Sequence, residues 1–87
     1  MALVATRIAL RDARRLARRS QREVARASRI SQQNVSRIER MRDLDGCFVR
    51  TLRSYIGALG GQLQLIAEFG GKRLLLAGRR ARRKADR

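Results

Sequence analysis

The stretch Ser20–Arg40, SQREVARASRISQQNVSRIER, admits few folds, because two helix starts stand close together in it. Ser20 with Glu23 three residues on forms a capping box, in which each side chain satisfies a free backbone donor at a helix N-terminus. A short helix is expected from about Gln21 to Ala27, carrying apolar Val24 and small Ala25 and Ala27. Ser28-Arg29 interrupts it, Ile30 follows, and Ser31 is the next N-cap. A second helix is then expected from about Gln32 to Arg40. At about 100° per residue, Val35 and Ile38 share one side of it. Gln32, Ser36, Arg40, Gln33 and Arg37 share another, an arc about 140° wide at that periodicity. The arc holds hydrogen-bonding side chains and no carboxylate, which suits the edges of base pairs. Asn34 sits where it can serve the cap.

Charge points the same way. The 87-residue chain carries 22 Lys+Arg against 7 Asp+Glu, a formal net charge of +15, so nucleic acid or an anionic surface is the expected partner. Twenty of the basic residues are Arg, the side chain suited to bidentate contact with phosphate and guanine. The excess sits at both ends, +5 over residues 1–19 and +5 over residues 78–87, with +3 over the helical pair. Residues 41–77 are nearly neutral and rich in apolar side chains, as core and interface require.

Composition also excludes chemistry. There is no His and one Cys, Cys47. No disulfide framework, zinc site or Cys–His pair can be built within one chain, and no metal or cofactor is expected. Without a His base or a paired-carboxylate cluster, the chain is not expected to be an enzyme. A lone Cys suits a reduced, cytoplasmic setting. No run approaches the roughly 20 apolar residues of a membrane span. The Arg-rich, acid-poor start resembles a transit peptide in composition. It runs without a break into the capping box, however, and a first helix is needed to cover the pair that follows.

That first helix is expected over residues 5–18. Ala9, Ala13, Leu16 and Ala17 form its apolar face, with Arg11, Arg14, Arg15 and Arg18 mostly off it. After Arg40, Met41–Gly46 reads as a loop with turn-forming Asp and Gly. Leu44, Phe48 and Val49 should fold back on the core. A further helix is expected from about Thr51 to Leu59, with Leu52, Tyr55, Ile56 and Leu59 at helical spacing, stopped by Gly60-Gly61. Tyr55 reads as a packed ring rather than a catalytic phenol.

The period then changes to two. Gln62–Phe69, Gly70-Gly71 and Lys72–Ala77 read as a hairpin on a two-residue turn. Closure there pairs Phe69 with Lys72, Glu68 with Arg73, Ala67 with Leu74, Ile66 with Leu75, and Leu65 with Leu76. Leu63, Leu65, Phe69, Leu74 and Leu76 gather on one face, but Ile66 and Leu75 fall on the other. An isolated hairpin is marginal in water. Apolar residues on both faces and an open edge therefore predict a homodimer interface made by Leu63, Leu65, Ile66, Phe69, Leu74, Leu75 and Leu76. The alternative is a lid over the chain's own helices. Residues 78–87 read as a basic disordered tail, either a nucleic-acid arm or a solubilising end.

These residues carry a family resemblance. Gln21 opening the first helix, Ala25 in its middle, Ile30 after the turn, Ser31-Gln32-Gln33 opening the second, Val35 and Ile38 within it and Glu39 near its end resemble the helix-turn-helix of the Xre/Cro family. TLRSYIGALGG (Thr51–Gly61) with the hairpin resembles small antitoxin regulators of the HigA type, and more loosely the HipB type. The match covers roughly residues 13–77. It implies a mainly α fold, a phage-repressor-like bundle of four to five helices with a C-terminal β-hairpin at the dimer interface. The expected domains are a DNA-binding domain over 1–61, a dimerising hairpin over 62–77 and the tail over 78–87.

The resemblance implies that Gln32, Gln33 and Arg37 read base edges with Ser36 nearby, and that Gln21 holds phosphate. Arg22, Arg40 and Arg42 are candidate phosphate clamps. It implies a repressor that binds a palindromic double-stranded operator as a homodimer and neutralises a small ribonuclease toxin. A stand-alone regulator and a HipB-like partner of a kinase toxin share the same features. An RNA-binding or membrane-surface peptide rests on charge alone. Three positions depart from the family pattern. Arg29 and Met41 stand where Gly is usual, at roughly 1–2 kcal/mol each if they turn left-handed. Arg19 stands where an apolar staple residue is usual.

Overall fold

A computed structural model describes residues 8–77. The expected tail, and the first residues of the expected first helix, lie outside the described residues. Four helices are followed by one hairpin: α1 (Leu10–Leu16), α2 (Gln21–Ser28), α3 (Gln32–Glu39), α4 (Val49–Ala58), β1 (Leu65–Phe69) and β2 (Lys72–Ala77). The mainly helical bundle with a C-terminal hairpin is the architecture the sequence leads one to expect.

Each helix of the central pair starts where its serine says. The Ser20 Oγ accepts from the Glu23 N–H at 3.0 Å, and Glu23 Oε1 accepts from the Ser20 N–H at 2.8 Å. The Ser31 Oγ accepts from the Asn34 N–H at 3.1 Å. Between them Arg29 turns left-handed, at φ 64°, and its N–H bonds to the Ala25 carbonyl. Met41 does not turn left-handed. Helix α3 runs out through Arg40 in right-handed geometry instead, so the expected strain there is absent.

A second left-handed arginine, Arg18 at φ 59°, was not anticipated. It ends α1: Arg18 N–H bonds to the Arg15 carbonyl and Arg19 N–H to the Arg14 carbonyl, a Schellman closure. Helix α4 ends the same way on Gly60, which takes φ 86° without a Cβ penalty.

The core is small. Val24 of α2, Val35 and Ile38 of α3 and Tyr55 of α4 are fully buried, and Leu10, Ala25, Ile30, Met41 and Ile56 pack around them. Small Ala25 lets α2 and α3 approach. Helix α2 packs on α3 and α4, and α1 packs on α3.

Two expectations for this core are corrected. Helix α1 does not present the face that periodicity suggested, for Leu16 is 78% exposed while Arg14 is only 9% exposed. Leu44, Phe48 and Val49 do not join the residues packed on the core: Phe48 sits at the N-cap position of α4, 72% exposed, with the Arg50 guanidinium 5.8 Å from its ring centre, and Val49 is exposed as well. Leu10 and Met41 are among the side chains that pack on the core instead.

The hairpin closes on Gly70-Gly71, both at positive φ (58° and 76°), as a tight two-residue turn requires. Four expected pairs form, from Phe69 with Lys72 to Ile66 with Leu75. The fifth does not. Leu65 pairs with Ala77 and Leu76 is left over, because a bulge lies between Leu65 and Ile66. The strand also begins at Leu65 rather than Gln62. No hairpin residue packs against the helical core, while Ile66, Phe69, Leu74, Leu75 and Leu76 are exposed and Leu63 and Leu65 half-buried.

Candidate nucleic-acid interface

Helix α3 is held from one side only. Val35 and Ile38 bury against α2 and α4, which leaves Gln32, Gln33, Arg37 and Arg40 exposed together, with Ser36 half-buried among them. The packing thus turns the carboxylate-free arc outward as one surface. Arg37 Nε donates to Asn34 Oδ1 at 3.4 Å, and the Arg40 guanidinium donates to the Ser36 Oγ. Arg22 on α2 and Arg42 beyond α3 are exposed. Gln21 is half-buried, and its Nε2 is turned inward to Glu39.

The orientation of α3 rests on a cluster that sequence reasoning missed. Glu39, at the last turn of α3, has a side chain only 3% exposed. Its Oε2 accepts from Arg14 Nε at 2.6 Å and from the Tyr55 hydroxyl at 2.6 Å. Its Oε1 accepts from Arg14 Nη2 at 3.1 Å and from Gln21 Nε2 at 3.1 Å. The two fork contacts of Arg14 are the strong bidentate kind. Its third donor, Nη1, reaches the Arg19 carbonyl at 2.9 Å and secures the α1–α2 turn. One carboxylate therefore ties α3 to α1, α2 and α4 at once.

The electrostatics follow from that geometry. Burial pushes the Glu39 carboxyl up, but bonds from Arg14, Tyr55 and Gln21 outweigh it and hold the group below the usual carboxylate range. The hydrogen bond to Glu39 raises the Arg14 guanidinium. Burial, then the neighbouring carboxylate, raise the Tyr55 hydroxyl, which stays protonated and donating. On the surface, the backbone bond from Ser20 holds Glu23 low. The signal for this cluster was faint: Glu39 is the one carboxylate on α3, and nothing in the sequence singles out Arg14 among the arginines of α1. Periodicity assigns Arg14 to solvent, and only the pairing overrides that.

The fold is similar to that of known proteins. A helix-turn-helix family model matches residues 10–45. A solved structure of a DNA-bound antitoxin, HigA3, is similar at TM-score 0.73 and 34% identity, over 84% of this chain and 94% of that one. The chain belongs to the HigA-like branch of the Xre/Cro helix-turn-helix family. Another solved HigA antitoxin structure, described for DNA bending induced by a unique dimerization, is similar at TM-score 0.73 and 34% identity, over 83% of this chain and 92% of that one. No curated protein matches in sequence. Both HigA structures are spanned nearly end to end, so the likeness includes α4 and the hairpin as well as the helix-turn-helix. Among the described residues, no helix is long and apolar enough to cross a membrane, and no His, Cys, Asp and Glu cluster is placed to hold a metal ion.

Proposed function

We propose that this HigA-like chain is a sequence-specific, double-stranded DNA-binding repressor that acts as a homodimer on a palindromic operator. The observation that carries the reading is the one-sided anchoring of α3, with Gln32, Gln33 and Arg37 outward and Val35 and Ile38 inward. In the major groove, a Gln side chain pairs with adenine and an Arg with guanine. Gln32, Gln33 and Arg37 read bases, with Ser36 beside them. Arg22, Arg40, Arg42 and Gln21 take phosphates. One helix of this length reads too few base pairs to select a site, so two copies are needed. The exposed apolar residues of β1 and β2 supply the surface that joins them, and half-sites then lie about one helical turn, ~34 Å, apart.

A footprint on the chain's own promoter at moderate salt tests this reading. The expected result is two symmetric protected half-sites, with protection falling steeply as salt rises. Equal, sequence-independent binding by Gln33→Ala and wild type would remove specific readout from the account.

The toxin-neutralising role belongs to the same proposal and rests on the antitoxin relatives and the exposed hairpin. The chain binds and silences a small toxin encoded beside it and represses the shared promoter. Co-expression with the neighbouring gene product tests this. A stable complex and rescued growth are expected, whereas no complex leaves a stand-alone regulator.

A further inference from the structure

We propose that Glu39 is a positioning residue for DNA binding. By accepting one N–H of the Gln21 amide, it leaves the other N–H to donate to a phosphate at the start of α2. The inference rests on the DNA reading above and deepens it.

An ionised carboxylate only accepts, with about four lone-pair sites. Glu39 fills them with four donors: two from Arg14, one from Tyr55 and one from Gln21. The Gln21 amide has an N–H edge and a carbonyl edge, and flipping it would set an oxygen 3.1 Å from Glu39 Oε1. Two acceptors at that distance repel, so the flip is forbidden and Nε2 stays where it is. Nε2 carries two protons. One is spent on Glu39, and the second lies in the same amide plane and has no partner among the described hydrogen bonds. Gln21 is half-buried, so its amide stands between the hidden carboxylate and the surface.

The surroundings favour an anion at that second proton. Arg22, next along α2, is exposed. Glu23, the one acidic residue in the first turn, is tied back to the Ser20 N–H in the capping box. Glu39 is itself sealed from solvent and neutralised by Arg14, so its charge does not repel a phosphate. A carboxylate on the recognition helix thus serves DNA binding without meeting DNA.

The test uses the full-length protein and the operator duplex defined by footprinting, reading the side-chain amide protons of Gln21 by nitrogen-edited NMR. In the free wild type, one Gln21 proton should exchange with water about tenfold more slowly than the other. Adding operator should slow the faster proton and leave the slower one in place. Glu39→Gln, assayed where it remains folded, should bring the two exchange rates together and weaken operator binding about tenfold, as for one lost hydrogen bond to a charged group. In a Gln21→Ala background the same substitution should cost less than about twofold, because the coupling is gone. Tyr55→Phe removes a different partner of Glu39; it should lower the melting temperature, leave the Gln21 exchange pattern unchanged and cost clearly less affinity than Glu39→Gln.

Equal exchange of both protons in the wild type overturns the inference, as does an equal loss for Glu39→Gln with and without Gln21. So does a loss for Tyr55→Phe as large as that for Glu39→Gln. A wild-type chain that protects no site overturns the DNA reading and the inference with it. The exchange pattern of the free protein separates the two failures, because it reads the Gln21–Glu39 bond without DNA.

Discussion

Tyr55 and Phe69 show how differently the two halves of this molecule treat an aromatic ring. The Tyr55 ring is fully buried among Val24, Val35 and Ile38, with its hydroxyl on Glu39. Phe69 stands at the hairpin tip opposite Lys72, largely exposed, and Leu76 is equally open at the far end of the hairpin, beside the bulge. In the bundle the core is met inside one chain: Val24, Val35, Ile38 and Tyr55 bury one another, and the Glu39 carboxylate takes four donors from Arg14, Tyr55 and Gln21. In the hairpin the backbone ladder is satisfied but the side chains are not. The bundle buries its core within one chain, and the hairpin carries the open apolar surface proposed above to join two copies.

The comparison can be broken first at the carboxylate. Glu39→Ala leaves the Arg14 charge buried without a partner, and breaking a buried pair in this way costs about 3–5 kcal/mol. Chemical denaturation should show that loss. The variant should keep the self-association of the wild type wherever it remains folded, because the hairpin is remote from the cluster. A loss confined to association instead would reverse the roles given to the two regions.

A smaller effect is expected at the ring. Tyr55→Phe keeps the packing but strips one donor from Glu39, at about 1–3 kcal/mol by thermal unfolding. The hairpin is probed by Phe69→Ser. Because the ring is already solvent-facing, unfolding of the bundle should be nearly unchanged. Self-association measured by sedimentation should weaken about tenfold, about 1.4 kcal/mol. An unfolding cost with association intact would make the hairpin a lid over its own helices. The mildest change concerns the α2–α3 turn. Arg29→Gly relieves a left-handed arginine and should stabilise the chain by about 1 kcal/mol, read as a higher melting temperature.

Acid sharpens the same contrast. Glu39 is held below the usual carboxylate range in the folded state, so the unfolded chain takes up its proton first. The stability this group contributes is complete above the unfolded value of about 4.3, and is lost as pH falls from there through the lower folded value. Wild type should therefore lose stability more steeply than Glu39→Gln over that interval in a series of unfolding curves. The hairpin carries only the exposed Glu68–Arg73 pair and should add little to this dependence.

Much of the fold was legible in the residues, and the reasons are local. Ser20, Glu23 and Ser31 state their caps within three residues of themselves, and Gly70-Gly71 states its turn. Val24, Val35, Ile38 and Tyr55 show their burial through helical spacing. The outward arc from Gln32 to Arg40 follows once Val35 and Ile38 are inward. What stayed hidden is non-local. Arg14 reads as one more solvent-facing arginine until Glu39, 25 residues away, is found to take its fork. Leu16 and Phe48 read as core from the sequence, yet both are exposed and Leu10 and Met41 pack on the core. The bulge between Leu65 and Ile66 leaves Leu76 unpaired, and the regular period of two does not announce it.

By itself, then, the sequence determined where the helices begin, where the chain turns, that no His-based chemistry is available, and which side of α3 faces outward. Tertiary structure alone decided that the recognition helix is fixed by one buried carboxylate, and that Gln21 gives one amide proton to it. The physical reason is that caps and turns are satisfied by neighbours in the chain. A buried charge is tolerable only if distant donors converge on it, and no local pattern announces which donors those are.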